Sequence, residues 1–140
     1  MSIISALQTY LASYAELPAG APLWVGYLGP RAAEYSVAAS PGARVIERYV
    51  NGGAKCEYNF TLQSTESTAD ELARIDAEEF YEAFAEWLDT QTEAGVFPAL
   101  DAKKDVERIE ALGWGFVIEQ GQSGKAIHQV QCKLTYFQNT

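Results

Sequence analysis

The chain has little of what most catalytic and membrane chemistry requires. It has one histidine, His128, and two cysteines, Cys56 and Cys132, with no C-x-x-C pair and no Cys/His spacing suited to zinc. No stretch approaches 18 apolar residues, so no membrane-spanning helix is expected. The opening residues lack the basic and apolar regions of an export signal. Bases are scarce, 10 against 19 acids, the wrong sign for a protein that displaces counterions from nucleic-acid phosphates. Neither Gly52-Gly53 nor Gly113-x-Gly115 leads into a helix start carrying Lys-Ser/Thr, so no phosphate cradle is indicated. Internal repeats and low-complexity tracts are absent.

What is present is the composition of an ordinary globular protein, 48% apolar and 21% charged, at a length that suits one domain over residues 1–140. The net charge of −9 is local. Residues 66–93 hold ten acids and the single base Arg74, while the remaining acids and bases cancel. Glu78, Glu82, Glu86, Asp89 and Glu93 therefore define a candidate acidic surface, the solvated face of a helix.

Periodicity assigns the elements. Ile3, Ile4, Leu7, Tyr10, Leu11 and Tyr14 repeat at helical spacing behind Ser2, a suitable N-cap, and predict a helix over 3–15. Leu23–Leu28 reads as a short buried strand, and Glu34–Ala38 alternates with Tyr35 and Val37 on one face. Asn51-Gly52-Gly53 supplies the turn of a hairpin between Arg44–Val50 and Ala54–Ser64. Thr68–Glu71 fits a capping box ahead of an apolar stripe from Leu72 to Gln91, with a break expected near Asp76 and a stop at Gly95. Val106–Glu119 predicts a strand interrupted at Gly113-Trp114-Gly115, and Ala126–Gln138 an alternating one. The order implies an α+β fold, an antiparallel (mixed) sheet with helices packed on one face.

No catalytic constellation emerges. His128 falls on the inward face of its strand, where a hydrogen-bonded core imidazole is the plain reading. Cys132 lies four residues along, roughly 13 Å away and beyond proton-transfer reach. Cys56 could approach His128 only across the sheet, so a ligand or reaction pocket around His128, Cys56 and Trp87 is the rival hypothesis. The thiols read as two free, buried cysteines, since a disulfide would need adjacent strands in register. On the outward face Ile127 and Phe137 are apolar where a solvated sheet should be polar, so they meet either another subunit or the chain's own loops. Together with Trp114 they are the candidate subunit-interface residues.

Met1–Leu11 (MSIISALQTYL), Glu34–Ser36, Phe80–Gln91 (FYEAFAEWLDTQ) with its continuation to Gly95 and Pro98, Arg108–Leu112 and His128–Gln138 (HQVQCKLTYFQ) form an ordered set. In that set the chain resembles the small minor capsid proteins of tailed bacteriophages, which are similar in shape to tail-terminator or tail-completion proteins. The resemblance implies a tail-terminator-like fold and a structural, non-enzymatic role without cofactor or metal. It implies a homo-oligomeric ring, typically a hexamer, that caps the tail tube protein and meets the head connector protein. DNA would pass through without specific binding. The protein would reside in the virion after assembly in the bacterial host cytoplasm. A head-completion protein on the portal side is the alternative within that class.

Overall fold

A computed structural model describes residues 2–14, 17, 23–26, 34–42, 44–67, 71–120 and 125–140. Nine elements follow in the order α1 (Ile3–Leu11), β1 (Leu23–Val25), β2 (Glu34–Ala39), β3 (Val45–Arg48), β4 (Ala54–Ser67), α2 (Glu71–Ala94), β5 (Lys104–Ala111), β6 (Phe116–Gln120) and β7 (Lys125–Gln138). The fold is α+β, two helices against a seven-stranded mixed sheet.

The sheet is organised on two long strands. β4 and β7 pair antiparallel over fourteen residues each, from Ala54 opposite Gln138 to Ser67 opposite Lys125. Each is served on its outer side by two shorter strands laid end to end. β3 and β2 pair with successive halves of β4, and β5 and β6 with successive halves of β7. β1 extends the sheet beyond β2 and is parallel to it, with Leu23 opposite Tyr35.

Alternation along the long strands separates the two faces. Cys56, Phe60, Leu62, Val130, Cys132 and Leu134 point to the inner face and are buried. α1, α2 and the segment around Phe97–Leu100 cover them, contributing Leu7, Leu11, Tyr81, Phe84 and Leu88 to one apolar cluster. Tyr10 of α1 meets Trp87 of α2 at a ring distance of 5.3 Å, and Tyr14, just past the end of α1, meets Phe80, Phe84 and Trp87 at 5.8, 5.6 and 4.9 Å, so aromatic contacts join the first helical segment to α2.

Local chemistry sets the boundaries. Ser2 caps α1 in a reciprocal pair with Ser5, whose amide donates to Ser2 Oγ at 3.1 Å. The expected run to residue 15 stops at Leu11, because Ser13 directs both its amide and its hydroxyl to the Tyr10 carbonyl and tightens the last turn. The hairpin turn forms at 49–53 as read, with Gly52 at φ +93° and the Gly53 amide donating to Asn51 Oδ1. α2 runs unbroken through Asp76, whose side chain is solvated and so interrupts no packing. The helix ends at Gly95 (φ +72°), where the Val96 amide reaches back to the Gln91 carbonyl. The capping box at Thr68–Glu71 lies largely outside the described residues.

The cysteine readings resolve by register. Cys56 stands opposite Tyr136 and Cys132 opposite Phe60, four ladder steps apart, and both thiols are free and buried. His128 stands opposite Ser64, eight steps from Cys56 along the same ladder. At about 3.4 Å per step no contact between that imidazole and that thiol is possible.

The Gly113-Trp114-Gly115 interruption divides β5 from β6 as expected. A Cβ on Gly115 would fall 2.5 Å from Cβ and Cγ of Tyr81, a fully buried side chain of α2. Only glycine lets the chain pass there. Replacing Gly115 with alanine should therefore destabilise the protein by about 2 kcal/mol through overpacking, read as a lowered urea midpoint at unchanged m-value. The same change at Gly113, which has open space around it, should cost far less.

Candidate assembly surface

The acidic residues sit where helical periodicity puts them. Glu78, Glu82, Glu86, Asp89 and Glu93 are all exposed on α2, and among the described residues only Glu78 approaches a basic side chain, the imidazole of His128. The flank they occupy is fixed by their neighbours. Thr92 exchanges hydrogen bonds with the backbone of Ile109 on β5 (2.7 and 3.1 Å), and Tyr81 rests on Gly115. Phe80 and Trp87 turn the other way, towards Tyr14 and, for Trp87, Tyr10 of α1. At about 100° per residue, Glu78, Glu82, Asp89 and Glu93 then form a row along the β5/β6 side of the helix. Glu78 confirms that placement, its carboxylate lying 3.8 Å from Nε2 of His128, which is the ladder neighbour of Val117 on β6.

Next to this row lies the most apolar exposed stretch of the described chain. Trp114 is 62% exposed, and Leu112, Phe116, Val117 and Ile118 are exposed with it. Among the described residues β6 pairs only with β7, and none of them pairs with its other edge. The rest of that sheet edge, β5, carries exposed Asp105, Glu107 and Arg108, the charges that ordinarily discourage edge-to-edge association. β6 has no such guard along Phe116–Ile118.

The other two interface candidates fare differently. Ile127 is half-buried on the outer face, opposite Thr65 on β4 and Glu119 on β6. Phe137 stacks on Tyr49 of the 49–53 hairpin, ring centroids 5.2 Å apart and planes at 20°. Its partner is the chain's own loop. Strand alternation had identified it as an apolar outlier but could not see a ring supplied from another strand pair.

The outer face beyond these residues is polar. Across β4, β7 and β5 it holds a cleft of about 340 Å³ lined by Lys55, Glu57, Glu107, Arg108, Glu110, Lys133 and Thr135. Its charges pair among themselves, Lys133 with Glu57 at 3.1 Å, Arg108 with Glu110 at 3.5 Å and Lys55 with Glu107 at 3.9 Å. Three bases and three acids interleaved leave it without a field to select an ion of either sign.

Beneath the acid row lies a buried polar cluster that the sequence located only at His128. Ser64 Oγ and Tyr81 Oη share a 2.6 Å hydrogen bond, and the Tyr81 ring lies parallel to the His128 imidazole at 6.0 Å. His128 is 2% exposed and its Nδ1 has no hydrogen-bond partner. Burial pushes its pKa below the ordinary 6.5, opposed by the nearby Glu78 carboxylate. Burial also raises the pKa of Glu66 above 4.5, with a bond from Ser64 opposing, and its Oε2 has no partner. The thiol of Cys132 is likewise held well above its ordinary range by burial, which keeps it protonated and unreactive. Among the described residues no group of three His, Cys, Asp or Glu side chains is placed to hold a metal ion. No helix among them is long and apolar enough to cross a membrane.

No family model matches this chain, and no curated protein matches it either.

The two buried groups give stability opposite slopes with pH. The lowered His128 pKa means the unfolded state takes up a proton first, so stability falls as pH drops below 6.5 towards the native value. The raised Glu66 pKa means the unfolded state loses its proton first, so stability falls as pH rises above 4.5. Glu66→Gln should therefore raise the melting temperature at pH 7, with the gain disappearing below pH 4.5. Thermal melts of the variant and the parent across pH 4–8 measure this directly.

Proposed function

We propose that this protein is a non-enzymatic structural component of the head–tail junction of a tailed bacteriophage, a tail terminator that forms a homo-oligomeric ring on the tail tube and meets the head connector. The observation that carries this reading is the unguarded β6 edge, an exposed apolar ridge over Leu112–Ile118 bordered by an acidic helix flank. A sheet edge of that kind is a liability in an isolated molecule and an asset in an assembly. The resemblance of the Phe80–Gln91 and His128–Gln138 segments to minor capsid proteins points the same way. The buried state of His128, Cys56 and Cys132 also favours it, since each candidate reactive group is spent on the core. The mechanism would be geometric. Subunit contacts repeat about a rotation axis until the ring closes, and the two faces of the ring then bind different neighbours.

The test is capping. Purified protein mixed with polymerised tail tubes should decorate one end as a ring in electron micrographs and halt further tube growth. Binding to DNA-filled heads instead would assign it to the portal side of the junction. Binding to neither would refute the junction role.

A further inference from the structure

The two lateral sides of the sheet carry similar apolar side chains beside charges of opposite sign. On the β6 side, exposed Trp114, Phe116, Val117 and Ile118 lie on and beside the strand whose Val117 is the ladder neighbour of His128, the imidazole that Glu78 approaches. On the other side β3 pairs, among the described residues, only with β4, and none of them pairs with its outer edge. Ile46 sits there at a break in register and is exposed, as is Val50 in the adjoining turn. Arg44 and Arg48 flank Ile46, are exposed, and form no ion pair among the described residues; they outnumber the strand's one acid, exposed Glu47, which accepts from the Tyr49 hydroxyl.

We propose that the Leu112–Ile118 ridge and acid row of one copy seat against the β3 edge of a second copy, with Arg44 and Arg48 meeting the Glu78–Glu82 row and Ile46 packing on the ridge. The inference rests on the ring reading and supplies its contact. Charge decides the pairing. Ridge against ridge would bring two acid rows together, and β3 against β3 would oppose arginines, each like-charge meeting being costly at an interface. Only the crossed combination brings opposite net charges together. β3 lies on the far side of β4 and β6 on the far side of β7, so one chain cannot satisfy its own pair. Two different patches make the contact heterologous, the kind that repeats head to tail and closes when the rotation allows. The registers of both strands shift, at Val45/Glu47 and at Val117/Glu119, and the residue skipped in each is an exposed isoleucine. The contact is therefore one of side chains, Ile46 and Ile118 among them.

Two double variants test it by complementation. Glu82→Lys/Ile118→Lys disables the ridge, and Ile46→Asp/Arg48→Glu disables the β3 edge; all four side chains are exposed, so both should melt like the parent. Sedimentation velocity over a wide concentration range should show the parent forming oligomers and each variant weakened about 100-fold. An equimolar mixture should recover assembly, because each partner brings one intact patch and the reversed charges of the two altered patches attract each other in turn. If either variant alone assembles like the parent, or the mixture stays monomeric while the parent assembles, the proposed contact is wrong and the ring reading stands. A parent that is monomeric throughout also overturns the contact, and the tail-tube capping assay then judges the ring by itself. Should a double variant fail to fold, Arg48→Glu and Ile118→Lys alone carry the same expectations.

Discussion

Everything in this molecule is referred to the β4–β7 ladder. Its fourteen paired residues give a straight run of backbone long enough to carry two short strands on each side, one after the other. That arrangement fixes which side chains share the helix-covered face and which reach the lateral edges. It also separates the positions that might have made chemistry, by placing Cys56, Cys132 and His128 at different stations along one rigid pair of strands.

The inner layer and the lateral edges have been built for different ends. Inside, apolar contact dominates, and the few polar groups at Ser64, Tyr81 and His128 are locked by stacking and one short hydrogen bond. Outside, the sheet neutralises its own charges in a closed set of ion pairs near β5. The β6 side departs from both habits, since it exposes large apolar side chains and leaves neighbouring carboxylates unneutralised among the described residues. Evolution of an isolated domain would tend to place charge there, as β5 does. The contrast between two halves of one sheet edge is what gives the association reading its force.

Features governed by near neighbours were legible in the residues alone. The Asn51-Gly52-Gly53 turn, the alternation of Ala54–Ser64 and Ala126–Gln138, the stop at Gly95 and the interruption at Gly113–Gly115 all follow from local backbone preference, and the structure has them. Features set by distant partners were not. Nothing local reveals that β4 chooses β7, that β1 lies parallel to β2, or that Tyr49 covers Phe137. The ridge was half visible. Trp114 stood out between its glycines, but Phe116-Val117-Ile118 read as part of a strand with a hidden face, because the register shift at Ile118 breaks the two-residue period. Three consecutive large apolar residues in a chain whose long strands alternate so strictly were the available signal.

The central ladder joins Ser67 to Lys125 and Ala54 to Gln138, so its partners are remote along the chain, with the whole of α2 between them. Contacts of such high sequence separation are slow to form, because the loop must close before any pair rewards it. Until β7 arrives, β4 has only β2 and β3 beside it, and a wide strip of backbone donors and acceptors stays unsatisfied. A topology of this kind favours slow folding with a strand edge exposed along the way, and so a longer window for aggregation before the ladder closes.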